Sequence, residues 1–336
     1  MERIAIIGLG LIGGSIGLGL KRANLPETQV IGTARTRNTV QRAKKLGAID
    51  VEARSPAEAV EGARVVIVAA PILSIRQIFE DIAPALSPGA VVTDAASTKG
   101  DVMRWAGELL PTGVAHFVGG HPMAGKESQG IHAAVADLFR GKPWVICPSV
   151  NADDAAIRTV VGMAQQLGSQ PMFMDPDEHD SYVAAISHLP LVLSSALFSV
   201  AFGSAAWPEL AQLASSGFQD TTRLASGSPE MAHDIVKTNR DNLLHWIERY
   251  EEELARFKEV IRSAETEPVL EAFTRAQLER DNFMINGAPD RTAAGEPIEA
   301  ISFSDMLLGS KIASMMRKQE ELLRGAESRI DDKRRR

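Results

Sequence analysis

The sequence predicts an α/β chain: a doubly wound, mostly parallel sheet in the N-terminal half, followed by a mainly α-helical C-terminal domain. Three observations predict it. Short β-rich runs alternate with amphipathic stretches over the first 150 residues, a glycine-rich turn follows the first run directly, and the apolar period changes from strand to helix after residue 151.

The runs are RIAIIG (3–8), QVIGTA (29–34), RVVIVAA (64–70), AVVTDAA (90–96) and HFVGG (116–120), each bounded by Gly, Pro or Asp. Between them, 37–46, 74–86 and 101–109 read as amphipathic helices. Strand, helix, strand in repetition means βαβ units and a sheet covered on both faces. PWVICP (143–148) reads as the last strand of this layer, and SQPMFM (169–174) as a β-like run joining the two halves. Helical periodicity then covers 152–167, 177–202, 229–262, 268–284 and 301–326, with Asp175-Pro176 and Ser228-Pro229 as start signals.

Composition narrows the function classes. With 45% apolar and 24% charged residues the 336-residue chain has the balance of a soluble globular protein. A formal net charge of −7 argues against a nucleic-acid partner, which calls for a basic excess or patch. The single cysteine, Cys147, allows no intramolecular disulfide, and the opening shows no secretory signal, so a cytoplasmic protein is expected. Ser181 to Pro208 contains no Asp, Glu, Lys or Arg, which is long enough for a membrane span. Its many serines, with His188 and Pro190, suit a helix packed among other helices better than one in lipid. The reading is therefore a central helix at a homodimer interface, with no membrane.

The turn after the first run, GLGLIGGS, supplies G-x-G-x-x-G as Gly8, Gly10 and Gly13, opening a helix. Gly8 makes the tight turn, Gly10 lets the backbone meet a pyrophosphate, and Gly13 lets helix and strand pack closely. The phosphates of a dinucleotide then sit on the free N–H groups of the helix start. This makes the N-terminal sheet Rossmann-type, with Leu11 and Ile12 beside the glycines, and Ala70 and Pro71 at the end of the 64–70 run, lining the cofactor. An NAD site usually has a carboxylate about 20 residues on. Residues 28–49 contain none; GTARTRNT places Thr33, Arg35 and Arg37 there instead. A guanidinium grips a 2′-phosphate, so NADP is favoured, with NAD possible.

In an open α/β sheet, ligands bind beyond the carboxyl ends of the strands. The ends of the fourth and fifth runs read TDAASTKG and GGHPMAGKE, which brings Ser97, Lys99 and His121 toward the nicotinamide. His121 lies between Gly-Gly and a proline, in a stretch that reads as a turn following a strand. Histidine exchanges protons most readily near neutral pH. In the helical half, AAISHLP carries His188 and SSGFQDTTRLA, a glycine-containing break, carries Arg223. Taken singly, the first is an ordinary packed histidine and the second an ordinary surface ion pair. Metal chemistry is not expected, because the histidines lack ligand spacing.

Taken together, GLGLIGGS, DAASTKG, GGHPMAGKE, SHLP and GFQDTTR, in this order and followed by a helical half, closely resemble the prephenate and arogenate (cyclohexadienyl) dehydrogenase family of tyrosine biosynthesis. The resemblance runs from residue 3 to about 250. It implies oxidative decarboxylation of prephenate or arogenate with hydride transfer to NAD(P). It further implies that His121 draws the proton from the ring C4 hydroxyl and that Ser97 supports that histidine and the hydroxyl. His188 and Arg223 would hold substrate carboxylate and side-chain groups, with Lys126 and Glu127 at the mouth of the pocket. The residues do not decide between the two substrates, and dual specificity is the default. The expected domains are a dinucleotide-binding domain over 1–175, a helical substrate and dimerisation domain over 176–328, and a solvated tail over 329–336. Two rival readings are another Rossmann-plus-helical oxidoreductase of the β-hydroxyacid dehydrogenase type and a non-catalytic NADP-binding sensor.

Overall fold

A computed structural model describes residues 2–25, 27–126 and 128–287. The expected helix over 301–326, the tail and Glu127 lie outside the described residues. The strands are β1 (Glu2–Ile7), β2 (Thr28–Thr33), β3 (Val51–Glu52), β4 (Val65–Val68), β5 (Ala90–Asp94), β6 (Ala115–Pro122), β7 (Pro143–Pro148) and β8 (Gln170–Phe173). They form one sheet in the order β3-β2-β1-β4-β5-β6-β7-β8, and every neighbouring pair is parallel except β6 and β7. The doubly wound expectation holds. The order reverses between β1 and β4, which opens the ligand crevice at their carboxyl ends.

Strict alternation along the central strands divides the core. Ala5, Ile7, Val66, Val68 and Val92 face the helices Ile72–Ile82 and Gly100–Leu109, where Phe79 and Trp105 are buried. Ile6, Ile67 and Val91 face the other side, against Leu11–Arg22, Arg37–Lys45 and Asp154–Gln166. Burial of both faces explains why these strands read as continuous apolar runs. Several helices start on side-chain caps. Thr36 accepts from the Thr39 N–H, Asp153 from Ala156, Asp175 from Asp177 and Glu178, and Ser228 from Met231.

Four local expectations are corrected. First, His121 and Pro122 belong to β6 and pair with Val145 and Trp144 of β7 rather than forming a turn. The preceding glycines are there for space. A Cβ on Gly120 would lie 2.7 Å from the Asp94 carbonyl and 2.9 Å from Trp144 Nε1. Second, 169–174 is not a link between halves; β8 is the edge strand of the same sheet, paired with β7. Third, 215–225 is mostly helical, as Ser216–Thr222 and Arg223–Ser226. Fourth, 229–262 is two helices, Pro229–Thr238 and Arg240–Ser263, separated at Asn239 (φ −137°, ψ 34°), whose backbone leaves the helical region.

The 177–202 helix is present as Pro176–Val183, a π-helical turn Ala184–His188, and Leu189–Phe202. Pro190 accounts for the wide turn. It has no N–H for the Ile186 carbonyl, and its ring crowds that carbonyl, so the backbone loosens just before it. The chain divides into two compact units at Ile247/Glu248, so Pro176–Phe202 belongs with the sheet in the first unit.

Candidate active site

At the switch point, Gly8 has φ +95°, a conformation that L side chains rarely adopt, and a Cβ there would lie 2.3 Å from the Ala69 carbonyl oxygen. A Cβ on Gly13 would lie 1.9 Å from the Gly8 carbonyl oxygen, while one on Gly10 meets nothing within 4 Å. Gly10 is the N-cap of Leu11–Arg22 without a side-chain cap, so the first N–H groups of that helix are not taken by a cap side chain. Close packing at Gly8 and Gly13 with open space at Gly10 is the arrangement a pyrophosphate requires, and the residues fit a dinucleotide. Leu11 and Ile12 form the first turn of the helix. Ala70 and Pro71 follow β4, with Pro71 at the N-cap of Ile72–Ile82. Thr33 closes β2 in a buried position, and Arg37 opens Arg37–Lys45. Arg35 is 82% exposed, with Glu230 Oε1 at 3.8 Å. Asp50, the first carboxylate after this turn, is committed elsewhere; it accepts from Lys21 Nζ at 2.7 Å and the Val30 N–H at 2.9 Å.

The chemistry gathers at the carboxyl end of β6. His121 Nδ1 lies 2.9 Å from His179 Nε2, and His179 Nδ1 lies 2.8 Å from Asp180 Oδ1. Asp180 Oδ1 also accepts the Lys99 N–H at 2.7 Å, and Oδ2 the Gly100 N–H at 2.8 Å. The carboxylate thus caps the helix Gly100–Leu109 from 80 residues away in sequence, where N-terminal N–H groups favour negative charge. These contacts fix the protons. An ionised Asp180 can only accept, so His179 donates from Nδ1 and keeps its lone pair on Nε2. His121 therefore donates from Nδ1, and its own Nε2 carries the lone pair. His121 is only half-buried, so it stays within reach of the crevice.

Beneath it, Lys99 is fully buried. Its Nζ donates to Asp94 and, at 2.8 Å, to the Gly120 carbonyl, while Asp94 accepts the Gly120 N–H at 3.0 Å. This ion pair pins the backbone immediately before His121. Burial first, then the repulsion an imidazolium here would meet from the Lys99 ammonium and from any proton shared with His179 and His188, hold His121 well below the usual histidine range. The ring is neutral at pH 7, the form that accepts a proton.

His188 ends the π turn and is buried; its Nδ1 lies 3.1 Å from Asn239 Nδ2, and its Nε2 has no partner among the described residues. Ser97 sits half-buried in the turn between β5 and Gly100–Leu109. The hydrogen-bond partner of His121 Nδ1 is His179. Arg223 is exposed at the start of Arg223–Ser226, close to Thr221, whose carbonyl accepts from Ser194 of the His188 helix. Lys126 is exposed and reaches the Ala133 carbonyl at 3.3 Å. Sequence reasoning missed His179, Asp180 and Asn239. The run DEHD after Asp175-Pro176 has the acidic pattern of any solvated helix start. Only the fold turns that end inward.

Comparison with known proteins completes the assignment. Residues 16–172 match the family described as prephenate dehydrogenase, nucleotide-binding domain, and residues 175–275 match prephenate dehydrogenase, dimerization domain. A prephenate dehydrogenase of Bacillus subtilis is 33% identical over 282 residues, covering 83% of this chain and 76% of that protein. The crystal structure of Synechocystis arogenate dehydrogenase superimposes with a TM-score of 0.71 at 30% identity, covering 84% of this chain and all of that one. A prephenate dehydrogenase from A. aeolicus, in complex with hydroxyphenyl propionate and NAD+, gives 0.78 at 29% identity, covering 84% and 98%. With both family domains matched over 16–172 and 175–275 and a relative 33% identical over 83% of the chain, this protein belongs to the prephenate dehydrogenase family.

Proposed function

We propose that the chain oxidatively decarboxylates prephenate, and arogenate as a second substrate, with His121 as the base and NADP as the preferred cofactor. The observation that carries the reading is the His121–His179–Asp180 chain, which leaves a lone pair on His121 Nε2 at the carboxyl end of β6. A bound nicotinamide supplies the hydride acceptor. His121 takes the C4 hydroxyl proton as hydride departs from C4, leaving a ring ketone. Loss of CO2 from the ring returns two electrons, the ring becomes aromatic, and His121 hands the proton back to the phenol oxygen. We assign Ser97 to orienting the hydroxyl, and His188, Arg223, Lys126 and Glu127 to the carboxylates and side chain of the substrate. A dianionic substrate needs such donors and cations.

The preference for NADP is supported by Arg35 and Arg37 beside Thr33 and by the absence of a carboxylate between Thr28 and Ile49. We also infer a cytoplasmic homodimer. The single cysteine, which leaves no intramolecular disulfide to form, supports the first part, and the dimerization domain of the family supports the second. Initial rates with prephenate and with arogenate, each against NADP and NAD, test the whole reading. We expect turnover of both substrates, faster with NADP, and Arg35→Ala should lower kcat/KM for NADP while sparing NAD. No turnover of either substrate would overturn the function. An NAD preference unmoved by Arg35→Ala would overturn only the cofactor assignment.

A further inference from the structure

His188 is buried in a polar setting that leaves half its imidazole idle. Its Nε2 has no partner among the described residues, although a buried N–H or lone pair left unmet is costly. Its Nδ1 faces the Asn239 side-chain amide at 3.1 Å, and Asn239 is itself buried, at the break between Pro229–Thr238 and Arg240–Ser263. The same amide nitrogen lies 2.7 Å from the main-chain carbonyl of Asp180. A carbonyl oxygen can only accept, so the Asn239 group facing it is NH2 rather than oxygen. Its oxygen accepts from Asn242 Nδ2 at 2.9 Å, which agrees. One hydrogen of that NH2 goes to Asp180 and the other to His188, so His188 Nδ1 accepts and the ring proton resides on Nε2.

We propose that Asn239 is a positioning residue that holds His188 as an Nε2–H donor toward a carboxylate or carbonyl oxygen of the substrate. Asp180 thereby fixes both histidines in opposite senses. Through its side chain and His179 it leaves an acceptor on His121, and through its main-chain carbonyl and Asn239 it leaves a donor on His188. The inference rests on the assignment of His188 to the substrate. Burial lowers the value of His188 to about 4; of the titratable groups that face it, the Asp180 carboxylate favours the imidazolium and a protonated His179 would oppose it. His188 therefore recognises its ligand as a neutral donor across the working pH range, and substrate affinity does not track its titration.

Nitrogen-15 NMR of the full-length protein, with the His188 signals identified by their loss in His188→Phe, reads the tautomer directly. The expected result is a protonated Nε2 and a bare Nδ1 from about pH 6 to 8. Asn239→Asp places an acceptor opposite Nδ1. It should move the proton there, raise the KM for substrate roughly tenfold or more at pH 8, as expected for losing one hydrogen bond to a charged group, and make KM depend on pH. The KM should rise by a larger factor than turnover at saturation falls, because Asn239 meets the Asp180 main chain whereas His121 is ordered through the Asp180 side chain. A protonated Nδ1 in the unmodified protein, or an Asn239→Asp variant whose tautomer and KM profile match it, would overturn the proposal. An Asn239 serving only the fold would lower Tm without either change. If the tautomer is as expected but His188→Phe leaves KM unmoved, the substrate assignment of His188 fails, and the donor role with it. A KM raised by His188→Phe but not by Asn239→Asp removes Asn239 alone.

Discussion

His121 shows how much of a residue's chemistry is borrowed. Its neutral state comes from burial first and then from the neighbouring Lys99, His179 and His188, which disfavour a further proton, and its tautomer comes from a carboxylate two hydrogen bonds away. His121→Asn is expected to reduce kcat by roughly 10²–10⁴, the usual share of general acid–base catalysis, and to leave the cofactor Kd within about twofold. Unchanged turnover would remove His121 from the mechanism. The pH dependence follows with its sign. The base must be unprotonated, and the imidazolium is held below the usual range. The acid limb of kcat/KM should therefore fall well below pH 6.5, with a flat profile from there to about pH 8. A limb centred at or above 6.5 would show an unperturbed histidine and would contradict the buried network described above.

At the scale of elements, the glycine turn and the π turn carry different burdens. Gly10→Ala introduces a methyl group into open space, whereas Gly13→Ala drives one into the Gly8 carbonyl. The first should keep Tm within about a degree and weaken cofactor binding. The second should destabilise the fold by roughly 1–3 kcal/mol, as overpacking does, before binding is considered. Thermal melts with and without cofactor separate the two, and equal melting losses would refute the distinction. The π turn is a sequence consequence of Pro190, and it ends on His188, so the same proline that interrupts the helix sets the residue assigned to substrate. The buried Lys99–Asp94 pair acts on another element, tying the end of β5 to Gly120 in β6.

For the molecule as a whole, the helix Pro176–Phe202 is long and apolar enough to cross a membrane, with a mean hydropathy of 1.8 over 18 residues, only 28% of them buried. Ile186, Val200 and Phe202 are among its exposed side chains. Such a face seeks cover. The dimerization domain of the family spans it, at 175–275, which favours a second copy of the chain over lipid. Light scattering behind size exclusion, without detergent, should return twice the mass of the chain at micromolar concentration. A monomer there, or protein recovered only with detergent, would count against the homodimer.

The sequence by itself determined the alternation of the main strands and helices, the glycine turn with its cofactor class, the family, and the place of His121 near a strand end. Each of these rests on residues adjacent in the chain: a β-rich run, a G-x-G-x-x-G, a His-Pro after two glycines. Local periodicity also misled in places. Gly119 and Gly120 read as turn residues, yet a Cβ on Gly120 would meet the Asp94 carbonyl and Trp144, and one on Gly119 would meet Met103 Sδ, crowding that comes from two other strands and a helix. Nothing local marks Asp180 as the cap of a helix 80 residues earlier, or Asn239 as the partner of a histidine 51 residues away. Tertiary structure alone decided which proton sits on which nitrogen, because a tautomer is set by the groups that fold against the ring. Those groups come from segments with no fixed spacing in the chain.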